Sequence, residues 1–277
     1  MRYKIVADSS SNLFSLSDVD FSSVPLKIIT EDAEYVDDGT LDTVAMVSEL
    51  EVVKGHTGTS CPNAFDWEKA FEGADVVFAV TITSNLSGCY NAAMIGAEQY
   101  KEKHPNAKVC VLDTLSTGPE MQLIIEKLRE MILSGMEYDA IVSSIKEYMK
   151  QTNLLFSLES LANLARNGRV SNTVAKVVKV LGIRVVGAAS TEGTLEPLHK
   201  CRGEKKAIKA IVNEMGSRGF IGGKVRIAHC FNENAAHQLK SMILSVFPES
   251  KVNILPSGGL CCFYAEKGGL LVGYESK

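Results

Sequence analysis

The 277-residue chain has only 7 prolines and no surplus of positive charge: 29 Lys and Arg face 33 Asp and Glu, for a formal net charge of −4. With 45% apolar and 22% charged residues, that scarcity of proline excludes a disordered or fibrous chain and leaves material for a sizeable core. No basic stripe is present to neutralise phosphates, which makes DNA and RNA poor partners. Long apolar runs are missing too. Val76–Ile82 is far shorter than the ~20 residues of a membrane span, and the opening MRYKIVAD has no apolar signal-like region, so the expected location is the cytoplasm.

The chemistry-bearing motifs are equally sparse. Seven cysteines, at 61, 89, 110, 201, 230, 261 and 262, are odd in number and show no CxxC spacing, so neither a disulfide framework nor a zinc ribbon is implied. The five histidines show no HExxH or H-x-H pattern, and no metal site is expected. The absence of a GxxxxGK[ST] loop, of GxGxxG after the first strand and of GxSxG removes the main support for NTPase, dinucleotide-dehydrogenase and common esterase readings. An apolar-rich chain with few catalytic groups remains.

What is present is an alternation of short β-branched apolar runs with longer helical patterns. Lys4–Asp8, Val76–Ile82, Val109–Asp113 and Lys224–Cys230 read as strands buried on both faces. Leu41–Val52, Leu86–Tyr100, Gly118–Leu133, Tyr138–Lys150, Glu204–Met215 and Ala235–Phe247 carry apolar residues at three- and four-residue spacing and read as packing helices. After Gln151 the character changes. Leu154–Leu158 reads as a strand, Glu159–Asn167 as a short helix stopped by Gly168, and Ser171–Leu181 as a further helix; Ile183–Ala188 and Leu195–Lys200 flank a Thr191–Thr194 turn as a hairpin. The expectation is two α/β domains, residues 1–152 with a mostly parallel sheet and residues 153–277 with a mixed one.

Ser and Thr cluster where strands end: Ser9 to Ser11 after Asp8, Thr83 and Ser84 after Ile82, and Thr114, Ser116 and Thr117 after Asp113. In open α/β sheets the carboxyl ends of strands form the ligand crevice, so these hydroxyls are expected to converge there. Thr57–Pro62 reads as a small-residue loop before a helix. Its hydroxyls either cap that helix or, at Thr59 and Ser60, meet an anion. Thr83–Tyr90 opens another helix with more hydroxyls than one cap needs; Ser87 is surplus, and Gly88 would admit a close approach by ligand or backbone. Arg169, between Gly168 and Ser171, is either surface-exposed, a cation for the same anion or a clamp between domains.

In order along the chain, IVADSSSNL, VPLKIITEDAEYVDDGTLD, TSCP at Thr59–Pro62, LSGCY at Leu86–Tyr90 and LANLARNGRVS at Leu161–Ser171 resemble the I-x-x-D-S-[ST], V-P-L…Y-x-D-G, T-S-Q-P, L-S-G-T-Y and L-x-x-L-x-x-G-G-R-I-S segments of the DegV family of bacterial fatty-acid-binding proteins. The resemblance implies two α/β domains holding one long-chain fatty acid in a buried tunnel between them. It assigns the carboxylate to Thr59 and Ser87, with Ser60, Gly88 and Arg169 supporting the head-group loops. It implies no metal, no covalent cofactor and no catalytic residue of the chain's own. It further implies presentation of the carboxylate to a fatty acid kinase, giving an acyl-phosphate for phospholipid synthesis. At ~0.8 kcal/mol per buried CH₂, about fifteen methylenes contribute roughly 12 kcal/mol of gross transfer free energy, so an apolar tunnel with a few hydroxyl donors suffices.

Cys61 and Cys89 replace the Gln and Thr of that pattern and Asn167 its first Gly, while Glu266 stands nearest the position of the family's C-terminal His. An acidic group beside a carboxylate repels it unless protonated or turned away. Two other classes stay open: an acyl hydrolase or transferase with Ser87, Cys89 or Cys61 as nucleophile, which lacks an identifiable base, and a lipid-responsive regulatory protein.

Overall fold

The computed structural model describes residues 1–53, 55–171 and 182–276; the helix expected over 171–181 lies outside the described residues beyond Ser171. The first half runs β1 (Tyr3–Asp8), β2 (Asp20–Val24), β3 (Lys27–Thr30), β4 (Glu34–Val36), α1 (Thr43–Leu50), β5 (Thr57–Ser60), α2 (Ala64–Phe71), β6 (Val76–Thr81), α3 (Cys89–Lys103), β7 (Lys108–Asp113), α4 (Pro119–Leu133) and α5 (Tyr138–Met149). Its main sheet has the order β2-β1-β6-β7 and is parallel throughout. β6 is buried at every residue. A strand covered by helices on both faces needs such a continuous apolar run. β2, with sequence DFSSV, is an edge strand with half-buried polar residues and carries no comparable signal.

The second half supplies β8 (Thr152–Leu158), α6 (Ala162–Arg166), β9 (Ile183–Ala189), β10 (Leu195–Arg202), β11 (Lys224–His229), β12 (Lys251–Pro256) and β13 (Leu270–Glu275). These strands form one sheet in the order β10-β9-β8-β13-β11-β12, antiparallel except for the β11–β12 pair. The protein therefore has two α/β domains, with a parallel main sheet in the first and a mixed sheet in the second. The β9–β10 hairpin turns through Thr191–Thr194, where Gly193 has a φ of +74°.

α4 joins the two domains. It packs on β1 and β6 of one sheet and on β8, β11 and β13 of the other, and nine of its fifteen residues are buried, from Pro119 to Met131. A helix between two sheets must be apolar on more than one face. The close approach depends on Gly273 of β13, where a Cβ would lie 2.5 Å from the backbone of Pro119 and Glu120. The bidentate pair of Arg226 on β11 with Glu126 of α4, at 2.6 and 2.7 Å, fixes the same contact.

One small sheet departs from the sequence reading. β3 pairs antiparallel with β4 and with β5, so Thr57–Ser60 is a strand rather than a loop. Its TGTS sequence has no apolar side chain to give a strand pattern, and Gly58 and Ser60 are residue types of turns. It is extended because it pairs with β3, whose Ile28 is fully buried.

Candidate functional site

Between the small sheet, the α3 end of the first domain and the face of the second sheet lies a cavity of about 350 Å³. That is within the ~300–1,000 Å³ typical of small-molecule sites. Leu26 and Ile82, at strand ends of the first half, line it together with Leu260 and with Leu154, Phe156 and Leu271 of the second sheet, so both halves of the chain contribute apolar wall. Thr59, Ser60, Ser87, Gly88 and Arg169 all line this one cavity.

Each is positioned by a different element. β5 sets Thr59 opposite Ile28 of β3, and the Thr59 hydroxyl lies 2.7 Å from that of Tyr264. Ser60 donates to its neighbour's carbonyl, Cys61 O, at 3.3 Å. Ser87 sits one residue before Gly88, the N-cap of α3, which makes no side-chain capping bond. The Ser87 oxygen accepts only a long bond, 3.4 Å, from Cys89 N–H and faces Cys89 Sγ at 3.3 Å. Gly88 has its space taken by a neighbour: a Cβ there would stand 3.1 Å from Cys61 Sγ.

Arg169 bridges the domains. Its Nε donates to Leu86 O at 3.2 Å, a second nitrogen donates to Asn167 O, and the guanidinium carbon lies 6.0 Å from the centre of the Tyr264 ring. It is half-buried rather than surface-exposed, with contacts to Leu86 of the first half and to Asn167 and Tyr264 of the second.

Most strand-end hydroxyls do not converge on the cavity. Ser9 accepts from Leu26 N–H, Ser10 donates to Asp8, Thr114 to Thr81 O, and Ser116 to Glu120. Thr83 donates to Gly193 O at 2.9 Å while Asn85 reaches Glu192 O at 2.5 Å, so the Thr83–Asn85 turn grips the hairpin of the second domain. Only Thr117 of that set lines the cavity. Ser and Thr satisfy buried backbone groups as readily as ligands, so their position at strand ends did not separate the two roles.

Burial raises several carboxylates. Asp8 is fully buried and pushed up to about 6 despite bonds from Ser10 and from Ile82 N–H, and a further hydrogen bond comes from the Cys89 thiol. Asp37 is raised, again by burial, and accepts from Gly259 N–H and Leu260 N–H at 2.8 and 3.0 Å, seating the helix Gly259–Ala265. That helix carries Tyr264 and Leu260 into the cavity wall.

Glu266 is turned away from the site. It does not line the cavity; Oε1 accepts from the Ser160 hydroxyl at 2.8 Å and from Asn163 N–H at 3.1 Å, at the start of α6. Tyr264 was not among the residues anticipated, and its signal lay only in its neighbourhood, two residues before Glu266. No histidine lines the cavity, no helix among the described residues is long and apolar enough to cross a membrane, and no three metal-ligating groups cluster there.

The profile described as "Uncharacterised protein, DegV family" matches residues 2–277. A DegV domain-containing protein of Streptococcus pneumoniae is 42% identical over 279 residues, covering 99% of each chain. Among solved structures, a DegV family protein from Eubacterium eligens loaded with heptadecanoic acid is 44% identical, covers 99% of this chain and 100% of its own, and superposes with a TM-score of 0.97. The Streptococcus pneumoniae Fatty Acid Kinase (Fak) B3 protein loaded with linoleic acid is 42% identical over 100% of both chains, with a TM-score of 0.98. By sequence and by fold, the chain belongs to the DegV family.

Proposed function

We propose that this protein binds one long-chain fatty acid in the inter-domain cavity, with the carboxylate held by the hydroxyls of Thr59 and Ser87. The observation that carries the reading is the composition of the wall. Apolar side chains from both halves of the chain line the cavity, and among the described residues its polar side chains are hydroxyls, two thiols and one guanidinium. An acyl chain gains by transfer to such a wall, and a carboxylate needs donors rather than a nucleophile. Tyr264 donating to Thr59 would leave the threonine proton for the ligand. Ser60, Gly88 and Arg169 shape the loops around the head group. The full-length relatives loaded with heptadecanoic and linoleic acids support this ligand class.

The same reading divides the chain into residues 1–152, with the hydroxyl loops, and residues 153–277, and makes the protein a carrier without catalytic residues of its own. We infer presentation to a fatty acid kinase from the relative named as part of one. Glu266 is engaged at the start of α6 and does not line the cavity, so it makes no contact with the carboxylate in this reading. For a Ser87 nucleophile the alternative is disfavoured because no histidine lines the cavity to serve as base.

Organic extraction of protein purified from a bacterial host, followed by mass spectrometry, tests the reading. A recovered long-chain fatty acid is expected; lipid-free protein that also takes up no added fatty acid overturns it. Phosphate transfer to the bound lipid, on adding a partner kinase and ATP, tests presentation and separates it from a purely regulatory role.

A further inference from the structure

The Cys61 sulfur lies on the cavity wall against Gly88, the residue before Cys89, and the two thiols are in complementary states. Cys61 is exposed while the other six cysteines are buried. Its sulfur sits against Gly88 at the start of the fifteen-residue helix α3, whose first residue is Cys89. A hydrogen bond from Cys89, backbone N–H bonds at Cys61 and Gly88 and the nearby Arg169 charge lower the Cys61 thiol to about 6, outweighing its partial burial. The bond to Cys61, burial and the Asp8 charge push Cys89 the other way. Burial raises Cys110, Cys201 and Cys261 as well. One accessible thiolate beside one buried thiol is the arrangement of a reactive cysteine with its resolving partner.

The geometry points to Cys61 and Cys89 as a reversible oxidation site that closes a disulfide across the rim of the cavity. Hydrogen peroxide is the co-reactant. The Cys61 thiolate forms an S–O bond as the O–O bond breaks, and the departing hydroxide is protonated to water. The Cys89 sulfur then attacks the sulfenic sulfur, forming S–S and breaking S–O; hydroxide leaves and is protonated by solvent. Asp8, whose charge lies beside Cys89, accepts the thiol proton during the attack. Two electrons pass from the two sulfurs to peroxide, and a dithiol reductant reverses the change. Because Cys61 adjoins Ser60 and Cys89 lies two residues after Ser87, the new bond ties together the two loops assigned to the head group. That consequence for ligand uptake rests on the fatty-acid reading; the disulfide does not.

The full-length protein is treated with hydrogen peroxide, alkylated, digested without reductant and mapped by mass spectrometry. A Cys61–Cys89 peptide pair that dithiothreitol abolishes is expected, with Cys89→Ser instead accumulating a dimedone-reactive sulfenic acid at Cys61 and Cys61→Ser giving neither. Absence of the linked pair, or faster oxidation of another cysteine, overturns the proposal. In a parallel measurement with delipidated protein and oleic acid, oxidation should weaken uptake by about tenfold, the loss of roughly one charge-assisted hydrogen bond, and reduction should restore it. Equal uptake in both states overturns the link to the ligand. No uptake even when reduced counts against the fatty-acid reading and leaves the disulfide result intact.

Discussion

The hydroxyls of Thr59 and Tyr264 lie 2.7 Å apart although 205 residues separate them in the chain. β5 holds one and the helix Gly259–Ala265 the other, so this single contact joins the small sheet to a segment near the C-terminal end. With the phenol donating, the Thr59 hydroxyl keeps its own proton for the proposed ligand. Tyr264→Phe is therefore expected to weaken fatty-acid binding by about 1 kcal/mol, roughly fivefold, through lost orientation rather than lost contact area. Isothermal titration with oleic acid measures it, and unchanged affinity would show that Thr59 needs no partner.

Ser87 makes its case by what it does not do. α3 begins at Gly88 without a side-chain cap, and the serine accepts only the 3.4 Å bond from Cys89 N–H, so helix capping leaves its proton uncommitted except towards a weak sulfur acceptor. Ser87→Ala should lower fatty-acid affinity by about 1–3 kcal/mol, the cost of an unmet partner for a buried charge, with little change in stability. Competition with a fluorescent fatty acid, beside a urea titration, separates the two effects; an unaltered affinity removes Ser87 from the site.

Glu120 governs a pH response remote from the ligand. It is buried between the domains and pushed up to about 7 by burial, against bonds of 2.5 Å from Ser116 and 2.8 Å from Thr152. A carboxyl whose folded pKa is raised above its ordinary 4.5 favours folding in full while protonated in both states. That contribution is lost as pH rises from about 4.5 through about 7, because the unfolded chain ionises first. Glu120→Gln removes the titration. Urea unfolding across this window should show the variant gaining on the parent as pH rises, by about 3 kcal/mol. Parallel curves would show that Glu120 ionises in the fold without penalty.

How much was legible follows from where each element's stability originates. β1 and β6 carry their signal in their own side chains, since KIVAD and VVFAVT are buried almost throughout. β5 and β2 do not: TGTS and DFSSV become strands by pairing with β3 and β1, a non-local cause no window of sequence contains. The strands β12 and β13 and the helix Gly259–Ala265 were likewise unread, and with them Tyr264. At the site the motifs led to Thr59, Ser87 and Arg169 in one cavity wall. The same logic overreached at Thr83 and Ser116, whose hydroxyls hold the Glu192–Gly193 turn and Glu120 instead.

Glu266 looked like an obstacle to an anionic ligand, and its hydrogen bonds give it another task. Oε1 accepts from the Ser160 hydroxyl and from Asn163 N–H, one of the orphan donors at the start of α6. α6 in turn carries Leu164 into the cavity wall and precedes Arg169. Glu266→Ala should cost about 1 kcal/mol of stability, the usual loss when a helix start gives up its acceptor, while Glu266→Gln, which keeps an oxygen in place, costs less. Both variants should hold fatty acid with an affinity close to that of the parent, because the side chain does not line the cavity. The decisive comparison is with Ser87→Ala: a larger loss of affinity from Glu266→Gln than from Ser87→Ala would put the carboxylate of Glu266 back in the head-group site.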